Sequence, residues 1–274
     1  MITFPNAKIN LGLNIVERRA DGYHNIETVF YPINLTDVLE IVPARDGQGT
    51  TLTCTGRTVD CPVEKNLVMK AYRLMERDYG VPAVEMHLHK NIPDGAGLGG
   101  GSSDAAHVMT MLNTMFNLGI DNKTLAAKAA TIGADCPFFV YNTPMLATGI
   151  GDILAPTEVN LKGYAMLLVK PAVSVPTRDA YSRVNPEPSD IMPDKITAMP
   201  LPMWDGRLKN DFEPGVFDLH PELWLIKAAL LDDGAQYASM SGSGSSIFGI
   251  FDNVTMAEKL RDNFKNCDTY VIQL

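Results

Sequence analysis

The sequence predicts a protein of the α+β class, with strands and helices arranged in two domains or in one large domain. The first 60 residues have strand-like patterns, and helical and strand-like segments follow one another from residue 66 onward. The length of 274 residues exceeds the roughly 100–200 residues of a usual domain. Hydrophobic residues make up 46% of the chain and charged residues 20%, so the chain can bury a core without disulfides or structural metals.

The first elements are predicted strands. Residues Ala7–Val16 partly alternate between apolar and polar side chains, and Val38–Val42 is an apolar run with β-branched residues. Arg45–Thr50 is polar and contains glycine, which predicts the tip of a hairpin. Thr51–Thr55 is then expected to return as the partner strand.

Helical spacing begins near residue 66. Asn66–Tyr79 carries apolar residues at helical intervals, and Gly80 is expected to end this helix. Val84–His89 alternates and predicts a strand, whereas Asp104–Phe116 carries an apolar stripe that predicts a second long helix. A glycine-rich segment joins these two elements, so the local order is strand, loop, helix.

The remainder of the chain continues this mixture. Asn122 is expected to cap a helix over Lys123–Ile132, and Phe138–Val140 is predicted to be a short strand. Pro156–Lys162 is the best candidate for a domain boundary. The second half is predicted to contain strands at Tyr164–Lys170, Tyr237–Met240, Ile247–Phe251 and Tyr270–Leu274, helices at Pro221–Leu231 and Thr255–Phe264, and a proline-rich irregular stretch at 185–205 with a short helix near Ile191–Ala198.

Charge and hydropathy argue against two classes of partner. The formal net charge is −9 and no long basic run occurs, so a nucleic-acid partner is not expected. No apolar run approaches the roughly 18 residues of a membrane span. The N-terminus lacks the charged start and long apolar centre of a signal peptide. A cytoplasmic protein without a membrane partner is therefore expected.

The four cysteines are Cys54, Cys61, Cys136 and Cys267. None forms a C-x-x-C pair, which argues against a zinc site. Reduced thiols are the prediction, with a disulfide between Cys54 and Cys61 as the alternative.

The strongest functional signal is the segment Pro93-Asp-Gly-Ala-Gly-Leu-Gly-Gly-Gly-Ser-Ser103. Its glycines tolerate positive φ and let the backbone approach a ligand closely. Successive free N–H groups form an anion-binding nest, and the N-terminus of the following helix adds partial positive charge. Ser102 or Ser103 is expected to cap that helix and to add a hydroxyl donor. The segment predicts a phosphate-binding loop, the alternative being a flexible linker.

Two other nucleotide-binding patterns fit this loop less well. Gly95, Gly97 and Gly100 match the G-x-G-x-x-G fingerprint of dinucleotide-binding proteins. That fingerprint needs an acidic residue at the end of a second strand, whereas Asp121 lies in a brief link between two helices. No lysine follows the glycines, which excludes the P-loop pattern. A dinucleotide-dependent oxidoreductase stays as an alternative, and a kinase with this loop needs a cation from elsewhere.

Lys8 could supply that cation and Asp135 could supply a base, with Asn10 as a polar neighbour of Lys8. Lys8 and Asn10 lie two residues apart, on one face of a predicted strand. Asp135 precedes the predicted strand Phe138–Val140, where its carboxylate could accept a proton from a hydroxyl nucleophile. The alternatives are solvent-facing strand residues for the first two and a turn or cap aspartate for the third.

Two further loops have the composition of ligand-binding segments. Asp21-Gly-Tyr-His24 is a turn that carries an aromatic ring and an imidazole, which could stack on a base and hydrogen-bond to it. Ser241-Gly-Ser-Gly-Ser-Ser246 lies between two predicted strands and could close over phosphates. A packed turn and an ordinary hairpin turn are the respective alternatives.

Together these segments resemble the GHMP kinase superfamily over nearly the whole chain. The matching blocks are Pro5-Asn-Ala-Lys-Ile-Asn-Leu11, Arg19-Ala-Asp-Gly-Tyr-His24, Pro93 to Ser103, Gly133-Ala-Asp-Cys-Pro-Phe138 and Ser241-Gly-Ser-Gly-Ser245. The resemblance implies two domains, at residues 1–157 and 158–274, with the active site in the cleft between them. It implies an N-terminal domain like the second domain of ribosomal protein S5 and a C-terminal ferredoxin-like α/β domain.

The resemblance also implies roles for individual residues. Asp135 would be the catalytic base, and Lys8 would keep it ionised and stabilise the transferring phosphate. ATP and Mg2+ are the implied cofactors, without an assignable metal ligand. The implied ATP-binding residues are Pro93, Asp94, Gly95, Ala96, Gly97, Leu98, Gly99, Gly100, Gly101, Ser102, Ser103 and Asn66, and the implied substrate-binding residues are Asn10, Tyr23, His24, Thr177 and Tyr181.

The Asp-Gly-Tyr-His block separates this chain from the homoserine, galactose and mevalonate kinases of the superfamily. Within the family, it implies a small-molecule substrate with a cytidine diphosphate moiety and a role in isoprenoid precursor biosynthesis. A GHMP kinase for another small alcohol and a nucleotide-binding regulatory protein on the same fold are the alternatives. A monomer or weak homodimer is expected.

Overall fold

The computed structural model describes residues 1–45, 47–58 and 61–274. The chain forms two compact units that are not continuous stretches of sequence. Unit 1 comprises Met1–Ala7, Leu35–Asp94 and Gly99–Thr143, and unit 2 comprises Lys8–Asn34, Gly95–Leu98 and Pro144–Leu274. The domain boundary between residues 157 and 158 stays a prediction.

Strands and helices follow one another along the chain. The strands are β1 (Ile2–Thr3), β2 (Asn6–Arg18), β3 (His24–Thr36), β4 (Val38–Pro43), β5 (Thr51–Gly56), β6 (Val84–Lys90), β7 (Met145–Thr148), β8 (Ile153–Pro156), β9 (Ala165–Pro171), β10 (Tyr237–Met240), β11 (Ile247–Phe251) and β12 (Cys267–Gln273). The helices are α1 (Leu67–Tyr79), α2 (Gly100–Met115), α3 (Asn122–Ala129), α4 (Cys136–Tyr141), α5 (Thr177–Tyr181), α6 (Pro193–Thr197), α7 (Glu213–Leu219), α8 (Pro221–Asp232) and α9 (Val254–Arg261).

The sheet of unit 1 has the strand order β1-β4-β6-β5. Its β5 pairs in parallel with β6, and β4 pairs with β6 in the antiparallel direction. The predicted hairpin between β4 and β5 is therefore wrong, because β6 lies between them. The reason is α1, which follows β5 and returns the chain to the start of β6, as a parallel pair requires. Of the predicted hairpin tip at Arg45–Thr50, Asp46 lies outside the described residues.

The helix boundaries of unit 1 follow local capping. Asn66 precedes α1, and its side chain accepts a hydrogen bond from the Val68 amide at 2.9 Å. Gly80 ends α1 with φ +64°, in the left-handed region, which confirms the predicted stop. The cap of α3 is Asp121 rather than Asn122, since its Oδ1 accepts from the Thr124 amide at 2.9 Å.

The predicted strand Phe138–Val140 is wrong, because these residues lie in the helix α4. A short apolar run does not distinguish a buried strand from a buried helical turn. Pro137 occupies the first turn of α4, where its fixed φ favours a helix start. Every residue from Cys136 to Val140 is buried, so the apolar run belongs to the interior in either conformation.

Unit 2 contains two sheets, with strand orders β2-β3-β7-β8 and β10-β11-β9-β12. In the second sheet all neighbours are antiparallel, helix α9 connects β11 to β12, and α8 precedes β10. This arrangement is that of a ferredoxin-like fold and confirms the predicted C-terminal architecture. Apolar side chains of β2, β9, β11 and α8 form one buried cluster, including Leu13, Ile15, Leu167, Val169, Leu223, Leu230 and Phe251.

No helix in the described part of the chain is long and apolar enough to cross a membrane. All four cysteines carry free thiols.

Candidate functional site

The glycine-rich segment forms the connection between β6 and α2, as predicted. Gly95, Gly97 and Gly99 have backbone φ values of +58°, +74° and +70°, which residues other than glycine rarely adopt. Gly99 precedes α2 as its cap residue, so the prediction that Ser102 or Ser103 caps the helix is wrong. Both serines lie in the first turn. The leading N–H groups of α2 have no side-chain cap and remain available to an anion.

Within unit 2, the Ser241–Ser246 loop holds the middle of the glycine-rich segment. Ser241 Oγ donates to Gly97 O at 2.8 Å, and the Ser246 amide donates to Ala96 O at 3.3 Å. A Cβ atom on Gly97 would lie 1.9 Å from Ser241 O, so only glycine fits at this crossing. The two small-residue loops therefore form one structural element, which explains why both are rich in glycine and serine.

Lys8 and Asn10 lie side by side on β2, and both are buried. Lys8 Nζ donates to Asn10 Oδ1 at 2.7 Å, and Asn10 Nδ2 donates to Thr28 Oγ1 at 3.0 Å. The Lys8 amide donates to Leu98 O at 2.9 Å, and its ammonium lies 4.8 Å from the centre of the Phe30 ring. The alternative of solvent-facing strand residues is excluded, because unit 2 buries this cation next to its part of the glycine-rich segment.

Asp135 belongs to unit 1, where it immediately precedes α4. Its side chain does not cap the helix, so the alternative of a cap aspartate is not supported. A Cβ atom on Gly133 would lie 3.3 Å from Cys136 Sγ and 3.8 Å from Ser102 Oγ. The turn that carries Asp135 therefore packs against the first turn of α2, where the glycine-rich segment ends. Burial raises the pKa of the neighbouring Cys136 thiol to about 12, which leaves it protonated and unreactive.

Asn66, like Asp135, lies next to a residue that is close to the first turn of α2 in unit 1. A Cβ atom on Gly101 would lie 3.7 Å from Leu67 Cδ1, so the start of α1 contacts the first turn of α2. The Oδ1 atom of Asn66 is used in the cap of α1. Its role in adenine binding stays a prediction.

The Asp21–His24 turn opens onto a cavity of about 820 Å³ in unit 2, within the size range of small-molecule sites. The His24 ring stacks on Tyr181 at 4.6 Å with an interplanar angle of 17°, and Tyr181 packs edge-on against Phe212. Tyr23 is exposed at the rim. Thr177 also lines the cavity, and its Oγ1 lies 3.2 Å from Ser243 Oγ.

The His24–Tyr181 stack leaves no space for a base between these two rings, because their centroids are 4.6 Å apart, the separation of a pair already in direct contact. A base must stack on the outer face of the pair or displace one ring. Burial, together with the cationic Arg18, lowers the pKa of His24 below its ordinary value. The imidazole is therefore neutral at physiological pH, with one donor and one acceptor nitrogen.

Comparison with known proteins decides the family. Residues 66–143 match the family description "GHMP kinases N terminal domain", and residues 200–267 match "GHMP kinases C terminal". A protein of Parabacteroides distasonis named 4-diphosphocytidyl-2-C-methyl-D-erythritol kinase is 50% identical over 274 residues, which cover 100% of both chains. A protein of the same name from Cytophaga hutchinsonii is 43% identical over 100% of both chains. The chain belongs to the GHMP kinase family.

Solved structures agree with this membership. A crystal structure of 4-(cytidine 5'-diphospho)-2C-methyl-D-erythritol kinase has a TM-score of 0.85 and 32% identity, covering 99% of this chain and 98% of that one. The mevalonate kinase of Methanococcus jannaschii has a TM-score of 0.72 at 14% identity, covering 99% and 96%, and supports the fold alone. The predicted kinase and its GHMP fold are confirmed, and the oxidoreductase alternative is not supported.

Sequence reasoning missed a buried charge cluster in unit 1 of this GHMP kinase. Lys90 forms ion pairs with Asp37 and with Asp104, the latter at 2.8 Å, and all three side chains are buried. A Cβ atom on Gly100 would lie 3.4 Å from Lys90 Nζ, so the cluster lies directly beneath the start of α2. The alternation of β6, which turns every second residue inward, was a signal that could have identified Lys90.

Sequence reasoning also missed Asn210, which shapes the Ser241–Ser246 loop of the kinase. Its Nδ2 donates to Met240 O and to Gly242 O, both at 2.8 Å, and its Oδ1 accepts from the Phe212 amide at 3.0 Å. Every polar atom of this buried side chain is thus used to position backbone. No local sequence pattern indicates this role, because the carbonyl groups to which Nδ2 donates belong to residues 30 and 32 positions away.

The described residues of the kinase contain no group of three or more His, Cys, Asp or Glu side chains that could hold a metal ion. Mg2+ in phosphoryl-transfer sites takes most of its ligands from substrate phosphates and water. A Mg2+ ion carried by a nucleotide does not require such a group of protein ligands.

Proposed function

We propose that this GHMP kinase transfers the γ-phosphate of ATP to the 2-hydroxyl of 4-diphosphocytidyl-2-C-methyl-D-erythritol, in isoprenoid precursor biosynthesis. The observation that carries the proposal is the cavity formed by Tyr23, His24 and Tyr181. This cavity has an aromatic surface for a base and a neutral imidazole for its polar edge. It occurs in a chain that is 50% identical, over its full length, to a protein with that kinase name.

The glycine-rich segment is proposed to bind the phosphates of ATP. Its three left-handed glycines and the uncapped first turn of α2 present backbone N–H groups that suit phosphate oxygens. Ser102 and Ser103 lie in that first turn and add hydroxyl donors. Asn66 is assigned to the adenine side.

Asp135 and Lys8 are proposed to act on the reacting groups. Asp135 accepts the proton of the substrate hydroxyl and orients that oxygen towards the γ-phosphate. Lys8 adds positive charge that stabilises the transferring phosphoryl group. Asn10 accepts a hydrogen bond from Lys8 at 2.7 Å and thereby fixes the direction of its ammonium. Phosphoryl transfer depends mainly on such positioning and on charge neutralisation.

Mg2+ is proposed to be bound by the phosphates of ATP and by water, and it neutralises phosphate charge when bound. Tyr23, His24 and Tyr181 are assigned to the cytosine, and Thr177 lies beside them. Because His24 is neutral, it can donate one hydrogen bond to the base and accept another. We further propose that the enzyme acts in the cytoplasm as a monomer or weak homodimer, without nucleic-acid or membrane partners.

An ADP-release assay tests the substrate assignment. We expect turnover with ATP and 4-diphosphocytidyl-2-C-methyl-D-erythritol, and none above background with homoserine or mevalonate. Turnover with another alcohol alone would retain the kinase and refute this substrate. Sedimentation velocity at several protein concentrations tests the oligomeric state.

A further inference from the structure

The cavity that carries the aromatic pair has a biased charge. Of the described residues that line it, Arg18 and Arg178 are cationic and none is Asp or Glu. This bias runs against the composition of the chain, which has 32 acidic residues and 23 Lys and Arg residues. A second cavity of unit 2 has a mixed lining that includes Arg183, Lys209, Asp211 and Asp232. The absence of carboxylates is thus a property of the first cavity rather than of the unit.

Both arginines are exposed and available to a ligand. Arg18 is the last residue of β2 and lies close enough to His24 to lower the pKa of that imidazole. Arg178 lies in the first turn of α5, next to Thr177 and three residues before Tyr181. In the part of the chain that the structure describes, neither guanidinium group has a hydrogen-bond or ion-pair partner.

The two sets of groups in this cavity fit two parts of one ligand. The rings of His24 and Tyr181 offer a surface to a nucleobase, whereas two unpaired guanidinium groups offer planar, forked donors to phosphate oxygens. We propose that Arg18 and Arg178 bind the diphosphate of the substrate and thereby select cytidine diphosphate esters over substrates without a diphosphate. This inference rests on the proposed function and adds the residues that recognise the charge.

The expected effect is moderate, because both side chains are exposed. A well-formed hydrogen bond to a charged group changes an affinity by roughly ten- to a hundredfold, and solvent reduces this effect for exposed pairs. We therefore expect each arginine to change the affinity for the diphosphate by roughly tenfold. Salt should weaken this attraction, since the Debye length is about 8 Å at physiological ionic strength.

The test uses the full-length chain with the variants Arg18→Gln, Arg178→Gln and the double variant. Arg183→Gln is the matched control, because Arg183 is an exposed arginine of unit 2 that lines the other cavity. Titration calorimetry measures the Kd of CDP and the Kd of cytidine for each protein. Steady-state assays measure the substrate KM, the KM for ATP and kcat. Far-UV circular dichroism and thermal melts verify that every variant is folded.

We expect each single variant to weaken CDP binding roughly tenfold and the double variant more than that, with cytidine binding, ATP KM and kcat unchanged. The substrate KM should rise in parallel and become less sensitive to salt. Equal weakening of CDP and cytidine binding, or an unchanged CDP Kd in the double variant, would overturn the inference. If the folded wild type has no turnover with the substrate, the proposed function fails. If the wild type is active but the double variant binds CDP as tightly as the wild type, only the role of the arginines is refuted.

Discussion

At the scale of single residues, the proposed site includes polar side chains that the fold buries. Lys8 and Asn10 are 4% and 2% exposed, and a buried cation is tolerated only when its surroundings supply compensating contacts. The Asn10 amide provides one of them and is itself held by Thr28. This arrangement restricts the Lys8 ammonium to a defined position, which suits a group that stabilises transferred charge.

The substitution Asp135→Asn tests the proposed base. The amide keeps the size of the side chain but cannot accept the proton, so we expect kcat to fall by ~10²–10⁴-fold while the Kd for ATP stays unchanged. Single-turnover kinetics and a nucleotide-binding titration measure the two quantities. Asp262→Asn, an exposed position at the end of α9, serves as the control. Full turnover in Asp135→Asn would remove Asp135 from the chemistry.

The substitution Gly97→Ala tests the crossing of the two loops. Its matched control is Gly206→Ala, because Gly206 has a similar φ of +70° but nothing within 4 Å of its Cβ position. Each alanine should cost about 1–2 kcal/mol for the left-handed backbone. Only Gly97→Ala should add roughly 1–3 kcal/mol for the contact with Ser241 O and raise the KM for ATP. Equal losses of stability in urea unfolding would contradict the crossing.

Some of these residues were easier to predict from the sequence than others, for physical reasons. The glycine-rich segment is recognisable because local backbone geometry demands glycine at several positions in succession. Lys8 and Asp135 were predicted with their alternatives left open, since a strand lysine or a turn aspartate has the same sequence pattern whether it is buried or exposed to solvent. Asn210 and Lys90 were missed because their roles depend on partners that only the tertiary fold brings to them.

At the scale of elements, most segments were predicted well, including the short strands β10 and β11, whereas the short apolar segment of α4 was not. The patterns for α1, β6 and β9 lead to the observed elements within one or two residues. The α4 segment was predicted as a strand because it is too short to reveal a period. The partner of β5 was predicted wrongly because sequence proximity favours a hairpin, whereas α1 creates a parallel crossover.

The charge cluster beneath α2 should be important for the stability of unit 1. In Lys90→Met, both Asp37 and Asp104 lose their cation inside the protein, so we expect a destabilisation of about 3–5 kcal/mol. Lys70→Met, an exposed position on α1, should change stability by less than about 0.5 kcal/mol. Urea unfolding followed by circular dichroism measures both values. Similar small effects in the two variants would show that the cluster contributes little.

We expect the same cluster to make the thermal stability of the protein depend on pH. Burial, assisted by the Asp37 carboxylate, raises the pKa of Asp104 from 3.8 to about 7 against the opposing effect of Lys90. Because the pKa of Asp104 is higher in the folded state than in the unfolded state, folding favours its protonated form. The stability that this gives is fully present below pH 3.8 and is lost as the pH rises through about 7. We therefore expect the Tm of the wild type to fall, relative to Asp104→Asn, by several degrees between pH 4 and pH 7.5. A Tm difference that is independent of pH would contradict this assignment.

At the scale of the whole molecule, the predicted functions are divided between the two units. Unit 2 contains Lys8, the Ser241–Ser246 loop and the cavity with its aromatic pair and arginines, whereas unit 1 contains Asp135 and the first turn of α2. The glycine-rich segment contributes residues to both units.

Transfer of the γ-phosphate of ATP to the proposed substrate can be observed directly. Phosphorus NMR of the purified enzyme with Mg2+, ATP and 4-diphosphocytidyl-2-C-methyl-D-erythritol identifies the acceptor atom. We expect the γ-phosphate signal of ATP to be replaced by one phosphomonoester signal coupled to the methylerythritol moiety, with the diphosphate signals of the cytidine ester retained. Unchanged ATP with this substrate, together with a new phosphomonoester on homoserine or mevalonate, would contradict it.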